Sequence, residues 1–294
     1  MNSMTSLQDL QLCFVGAGSM AEALVRGLIE KKKSLPGYIS MTNRSNAERL
    51  HDLRMRYGVR VPQEDGSTTS ESLIASADIV FLCMKPKDVV SAMDGLRPLL
   101  RPEQLIVSVV AGLSIETMQQ LLGREQAVVR TMPNTSSTIG LGATGICFSA
   151  SVSEWQREIA IEIFESMSIV CPVEEHLINT VTGVSGSGPA YVYYLIEAMV
   201  AAGISGGLTE EQSKQLVVQT VLGAAEMVKT TGEDPAALRK GVTSPNGTTY
   251  AALEVLAQHN FLPGMVSAVM RASDRAREMG GEIADAAARR MQEQ

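Results

Sequence analysis

Aromatic side chains are scarce in this sequence: one Trp, six Tyr and five Phe make up 4% of its 294 residues. A core short of rings has to be built from aliphatic and small side chains. The supply of Ala, Gly and Met suits helices packed closely on one another. Cysteine is sparse too. Cys13, Cys83, Cys147 and Cys171 each fall within an apolar, strand-like run. They form no CxxC pair and show no metal-ligand spacing with His51, His176 or His259. The expectation is four buried, reduced thiols, a reducing compartment and no metal site. Positive charge is not concentrated either. Lys31–Lys33 is the one basic cluster, near the end of a helix predicted over 19–33, where it suits the dipole. A net charge of −7 argues against a nucleic-acid partner. There is no run of 18 apolar residues, and MNSMTSLQDL carries no signal-peptide hydrophobic region. The resulting expectation is a soluble cytoplasmic protein with no membrane partner.

What is present is enough apolar material, 45% against 19% charged, for a large core. Short β-branched runs at 11–15, 38–42, 58–61, 79–84, 105–109, 127–131, 143–149 and 168–173 read as strands. Helical patterns over 19–33, 46–56, 69–76, 87–95, 114–122 and 153–166 separate several of them. Strand–helix alternation with nearly continuous apolar strands predicts a mostly parallel sheet covered on both faces. From His176 onward only helices are predicted, over 188–203, 209–230, 234–240, 248–258, 262–280 and 281–292. The layout is an α/β domain over 1–173 followed by an all-α domain over 174–294.

The first strand runs through Val15 into Gly16-Ala17-Gly18-Ser19-Met20-Ala21, a GxGxxA turn that opens the first helix. Its first glycine permits the tight turn, and the second lets backbone approach a pyrophosphate. The small third residue allows close helix–strand packing. A dinucleotide is the predicted ligand. NAD sites commonly carry a carboxylate at the end of the second strand, but Thr42-Asn43-Arg44-Ser45 has none. Asn43 can bond a ribose or phosphate oxygen, and Arg44 offers a cation to a 2′-phosphate. Either Arg44 selects NADPH over NADH or it is an ordinary surface arginine. Two further strands end in Met84-Lys85-Pro86 and Ala111-Gly112, at the edge where open parallel sheets bind ligands.

Two later stretches spend small and polar residues at the threshold of a helix. Ser185-Gly186-Ser187-Gly188-Pro189 precedes YVYYLIEAMVAAG, and Thr243-Ser244-Pro245-Asn246-Gly247-Thr248-Thr249 precedes YAALEVLAQ. One capping residue is all a helix start needs. Such surplus predicts exposed helix N-termini holding an anion.

The segments FVGAGSMAEAL, MKPKDV, RTMPNTS, TGVSGSGPAYVY and VTSPNGTTYAALEVL resemble, in order and over nearly the whole chain, the pyrroline-5-carboxylate reductase family. The resemblance implies an NADPH-dependent reductase of (S)-1-pyrroline-5-carboxylate with a Rossmann-like N-terminal domain, giving L-proline by hydride transfer to C5. NADH would be the weaker donor. It also implies a C-terminal domain that forms intertwined homodimers, often assembled into decamers. Cofactor contacts carried over to this chain are Val15, Gly16, Ala17, Gly18, Ser19, Met20, Asn43, Arg44, Met84, Lys85, Pro86, Ala111 and Gly112. The substrate carboxylate is assigned to Gly247, Thr248 and Thr249, with Ser187 and Gly188 at the other threshold. No side chain is nominated as dedicated acid or base; the Thr249 hydroxyl and solvent are the candidate proton sources.

The chain departs from the family at Asn246, where most relatives have glycine. Asparagine is the residue that best replaces glycine in a left-handed turn. It also puts a side chain near the pocket, which keeps open the reduction of another cyclic imine. A β-hydroxyacid dehydrogenase shares the domain layout but needs a lysine on the first helix after the junction, and PAYVYYLIEAM has none. A regulatory protein that binds NADP without turnover has no use for two anion thresholds.

Overall fold

The computed structural model describes residues 6–293; the first half of the MNSMTSLQDL stretch lies outside them. Seven strands form one sheet: β1 (Leu12–Val15), β2 (Ile39–Thr42), β3 (Ile79–Leu82), β4 (Leu105–Ser108), β5 (Val128–Met132), β6 (Gly142–Phe148) and β7 (Ser168–Pro172). Their order is β2-β1-β3-β4-β5-β6-β7. Every neighbouring pair is parallel except β5 and β6, which run antiparallel. The helices are α1 (Ser19–Glu30), α2 (Ala47–Tyr57), α3 (Ser70–Ser76), α4 (Val89–Leu96), α5 (Ile115–Leu122) and α6 (Glu154–Glu165). They continue with α7 (Ile178–Val181), α8 (Gly188–Ser205), α9 (Glu210–Thr231), α10 (Pro235–Gly241), α11 (Thr248–Gln258) and α12 (Phe261–Gln292).

The expected parallel sheet follows from strands that are buried along their whole length in β2, β3 and β4. Side-chain alternation divides the core between the two faces. One face joins Leu12, Phe14, Phe81, Val107 and Val129 to Leu24, Leu28, Leu53 and Phe164. The Phe14 and Phe81 rings stack there at 4.2 Å, and such a pair adds about 0.5–1.5 kcal/mol beyond its buried area. The other face joins Cys13, Val80, Leu82, Ile106 and Val128 to Leu73, Met93, Met118, Ile283 and Ala287.

Three expectations need correction. The run 58–61 is no strand: it starts at the left-handed Gly58 that ends α2, and Pro62 stops it. Only an isolated bridge joins Ser40 to Arg60. The two helices predicted over 262–280 and 281–292 are a single helix, α12. Gly280 does not end it but lies against the Gly112 backbone, where a Cβ on Gly280 would stand 2.9 Å from the Gly112 carbonyl oxygen. Nor are all four thiols buried. Cys13 and Cys147 are, and burial pushes both thiols up to about 12, but Cys171 is exposed on the edge strand β7 beside Ile169. An edge strand has a neighbour on one side only, and Ile169, Cys171 and Pro172 of β7 stay exposed. The lysines at 31–33 stand just beyond α1, with Lys32 in the left-handed region.

The chain forms two compact units, Met1–Gly186 with Ala272–Gln294, and Ser187–Arg271. The pattern change at 173/174 and the parting of the compact units therefore fall at different places. In the second unit α8 and α9 pack tightly enough that a Cβ on Gly203 would stand 2.6 Å from Ser213 Oγ. Of α8 to α11, only Ser213 and Val217 are buried. Tyr194, Leu216, Leu222, Val255 and Leu262 are exposed. An apolar helical surface of that extent marks an interaction site. No helix among the described residues is long and apolar enough to cross a membrane.

Candidate active site

The cofactor residues expected from the sequence all belong to the first unit and to one edge of its sheet. Val15 ends β1, Gly16 and Ala17 make the turn, Gly18 is the N-cap of α1, and Ser19 and Met20 begin it. Asn43 and Arg44 follow β2; Met84, Lys85 and Pro86 follow β3; Ala111 and Gly112 follow β4. Because β1 lies between β2 and β3, the chain leaves it in opposite directions to either side. That topological switch opens a crevice at the strands' carboxyl ends.

The turn is fixed from both flanks. Gly16 N–H donates to the Thr42 carbonyl at 2.9 Å, and Cys83 N–H donates to the Val15 carbonyl at 2.9 Å. Gly16 has φ +110°, and a Cβ there would stand 2.4 Å from the Cys83 carbonyl oxygen, so no other residue fits. Gly18 differs. Its φ of −75° is ordinary, and a Cβ would meet no protein atom within 4 Å. The protein itself has no need for glycine at 18.

Helix capping sharpens the picture. The starts of α2, α3, α5, α6, α9 and α10 are capped by the side chains of Asn46, Thr69, Ser114, Ser153, Thr209 and Asp234. No side chain caps α1 at Gly18, α8 at Ser187 or α11 at Gly247. The α4 and α7 starts, likewise without side-chain caps, continue from 3-10 turns. The first N–H groups of α1 and α11 therefore have no side-chain cap, the local chemistry that anion sites at helix starts share.

The α8 threshold is built differently from expectation. Thr182–Gly186 is a π turn, and Ser187 keeps right-handed helical angles, so helical backbone precedes α8. Ser185 and Gly186 belong to the π turn, while Ser187 and Gly188 follow it at the start of α8. Asn134 Nδ2 donates to Ser185 Oγ at 3.3 Å, and Ser185 Oγ donates to the Ala143 carbonyl at 3.3 Å. A Cβ on Gly186 would stand 2.5 Å from Met132 Cε. The RTMPNTS and TGVSGSG segments thus meet within the first unit, and π turns of this kind are frequent at functional sites.

Gly247, Thr248 and Thr249 lie in the second unit. Gly247 N–H donates to the Ser244 carbonyl at 3.0 Å, closing a turn with Pro245 second and Asn246 third. Asn246 has φ +57°, the left-handed geometry anticipated for it. Ser187 and Gly188, at the start of α8, share the unit but belong to a different helix.

Several residues near the crevice escaped the sequence reading. A groove of about 820 Å³ beside Asn43 and Arg44 is also lined by Ser45, His51, Arg54 and Gln63. Arg44 itself is 80% exposed, with Asp88 Oδ1 4.0 Å away. A pair so exposed contributes little, leaving the guanidinium available to another anion. Arg130 is buried on β5, where Nη1 donates to Glu175 Oε1 at 3.1 Å and Nη2 to Asn179 Oδ1 at 3.1 Å. Glu175 Oε1 also accepts from the Ile115 N–H at 2.8 Å, tying the start of α5, just after Gly112, to β5. A lone arginine inside a β-branched run was the available signal for Arg130. Its partner, 45 residues away, had none.

A glycine turn at the switch point, an uncapped helix behind it and a helical second unit define a Rossmann-type oxidoreductase. Known proteins agree with that class. A family model described as NADP oxidoreductase, coenzyme F420-dependent, matches residues 11–112, and one described as pyrroline-5-carboxylate reductase dimerisation matches 175–279. Pyrroline-5-carboxylate reductase 1 of Bacillus spizizenii is 40% identical over 95% of this chain and 92% of its own. Pyrroline-5-carboxylate reductase 2 of Bacillus subtilis is 42% identical over 94% and 98%. The solved pyrroline carboxylate reductase of Plasmodium falciparum, with NADP bound, superposes with a TM-score of 0.83. It is 29% identical and covers 93% of this chain and 99% of its own. The Coxiella burnetii enzyme gives 0.83 at 34% identity, over 92% and 98%. The chain belongs to the pyrroline-5-carboxylate reductase family and is an enzyme, an oxidoreductase.

Proposed function

We propose that this protein reduces (S)-1-pyrroline-5-carboxylate to L-proline, the last step of proline biosynthesis, with NADPH as preferred donor and NADH as a weaker one. The carrying observation is the pair of uncapped helix starts, α1 over Gly18 and α11 behind the Ser244–Gly247 turn. The first fits a dinucleotide pyrophosphate: no side chain caps it, and a Cβ on Gly18 would meet no protein atom within 4 Å. When bound, NADPH supplies a hydride to C5 of the protonated imine, whose π electrons pass to nitrogen and leave a secondary amine.

The chain's own residues then have to bind, orient and shield. Asn43 and Arg44 would hold the adenosine end, Arg44 offering its cation to a 2′-phosphate. Met84, Lys85, Pro86, Ala111 and Gly112 would hold the nicotinamide end. The N–H groups and hydroxyls of Thr248 and Thr249 take the substrate carboxylate, assisted by Ser187 and Gly188. Positioning of two reactants contributes about 7–11 kcal/mol to lowering such a barrier, and an already electrophilic iminium asks for little more. The proton on the imine nitrogen comes from solvent or from the Thr249 hydroxyl.

We assign cofactor binding to 1–173 and substrate binding with dimerisation to 174–294, in a cytoplasmic homodimer that assembles further to a decamer. The exposed apolar surface of α8 to α11 supports self-association. Rapid NADPH oxidation with pyrroline-5-carboxylate and release of proline, slower with NADH, tests the reading. NADPH binding without oxidation would reject this substrate. Asn246, in its left-handed conformation beside the carboxylate site, favours another cyclic imine as the second reading. Turnover of no imine would leave a regulatory NADP-binding protein.

A further inference from the structure

We propose that Arg49 is a positioning residue for the cofactor, aligning the backbone of the dinucleotide turn from outside the crevice. The proposal rests on the reading of that turn as a dinucleotide cradle. Arg49 stands at the third position of α2, three residues after the Asn46 cap that accepts from its own N–H at 2.9 Å. Its side chain is three-quarters covered, and each guanidinium nitrogen has a fixed acceptor. Nε donates to the Ala17 carbonyl at 3.2 Å, Nη1 to Asp52 Oδ2 at 3.1 Å, and Nη2 to Glu22 Oε2 of α1. Glu22 is itself held by the Tyr57 hydroxyl at 2.9 Å and by Arg56 Nη1 at 3.1 Å.

The bond to Ala17 is the informative one. In a planar trans peptide the C=O of one residue and the N–H of the next point in opposite directions. Arg49, by drawing the Ala17 carbonyl toward α2, turns the Gly18 N–H away from α2. Among the described residues, that N–H has no protein acceptor. A group oriented by the protein yet unsatisfied by it suits the pyrophosphate. Because α2 begins just after Asn43 and Arg44, the same guanidinium links the loop for the 2′-phosphate to the turn for the pyrophosphate. A lysine cannot replace it: one ammonium on a flexible stem does not present three donors in a rigid fork.

The experiment compares wild type, Arg49→Gln, Arg49→Lys and Arg56→Gln in the full-length protein. Arg56 binds the same two carboxylates but does not touch the turn. NADPH affinity is read by fluorescence titration, and kcat and KM by imine-dependent oxidation. Arg49→Gln is expected to weaken NADPH about tenfold, roughly the loss of one charge-assisted hydrogen bond. Its kcat at saturating NADPH should stay within about threefold of wild type, since a positioning group lost from the ground state is recovered by saturation. Arg49→Lys should lose nearly as much affinity, and Arg56→Gln none. Wild-type affinity in Arg49→Gln, or an equal loss in Arg56→Gln, would overturn the proposal. If Arg49→Gln fails to fold, wild-type affinity in Arg49→Lys overturns it instead. Failure of wild type to bind NADPH would reject the underlying cofactor reading.

Discussion

Alanine at Gly16 and at Gly18, introduced separately, distinguishes what the protein demands of the turn from what the cofactor demands. At position 16 the substitution meets two obstacles. A φ of +110° lies outside the basins an alanine occupies and costs about 1–3 kcal/mol. The new methyl would also stand 2.4 Å from the Cys83 carbonyl oxygen. That oxygen cannot swing aside like a side chain, because the neighbouring backbone is held by the Gly16–Thr42 and Cys83–Val15 bonds. Overpacking of this kind adds about 1–3 kcal/mol. The expected loss is about 2–6 kcal/mol, a large share of the 5–15 kcal/mol typical of a folded domain. At position 18 the angles suit alanine and the surroundings are open, so stability should change by less than about 1 kcal/mol. NADPH should nonetheless bind at least tenfold more weakly, or about 1.4 kcal/mol, because the methyl occupies space meant for the pyrophosphate. Urea unfolding and NADPH fluorescence titration on both variants supply the numbers. Undiminished NADPH affinity in Gly18→Ala would refute the argument for a backbone–pyrophosphate contact. Wild-type stability in Gly16→Ala would refute the steric one.

Other expectations follow from the same geometry. Arg44→Ala should lower the preference for NADPH over NADH by about ten- to a hundredfold, the worth of one charge-assisted bond, with NADH kinetics barely altered. An unchanged ratio would remove Arg44 from cofactor selection. Glu175→Ala should destabilise the protein more than Arg130→Met, by about 3 kcal/mol against about 1 kcal/mol. The first strands a buried guanidinium, whereas the second removes it and leaves a part-exposed carboxylate to water. The reverse order in urea unfolding would sink this account. Partial burial opposes ionisation of Glu22, but hydrogen bonds from Arg49 and Tyr57 and the two arginine charges hold its carboxyl below the usual range. A lowered folded-state value gives stability that is complete above the unfolded value, about pH 4.3, and is lost as pH falls through the folded value. The margin of wild type over Glu22→Gln should therefore narrow below about pH 4.3 in thermal melts. A margin that widened there would contradict it. Thr249→Val should raise KM for the imine if the hydroxyl holds the carboxylate, with Thr249→Ser restoring it. A fall in kcat alone would point to proton donation.

The sequence by itself determined the α/β order, because a parallel strand buried on both faces is written as a short apolar run and its helix as a 3.6-residue pattern. GAGSMA, directly after the first such run, located the cofactor turn by local chemistry. Asn246 announced a left-handed turn for the same reason, since side-chain tolerance of φ +57° is a property of the residue. What depends on distant partners was not legible. GVRV looks like a strand, but between Gly58, which ends α2, and Pro62 it keeps only an isolated bridge to β2. Gly280 and Gly281 look like a helix end, yet α12 runs through them because Gly280 meets the Gly112 backbone. Cys171 reads as a core thiol, and its exposure follows from β7 being the edge strand. The small residues before α8 read as an anion threshold, but the π turn over Thr182–Gly186, packed against Asn134 and Met132, had no local signature. Nothing in the sequence singles out Arg49 on α2. Its hold on Ala17, 32 residues earlier in the chain, exists only once the sheet has brought α1 and α2 side by side. Local conformational preference is encoded residue by residue, whereas a backbone group's partner is chosen by whatever the topology carries within hydrogen-bond reach.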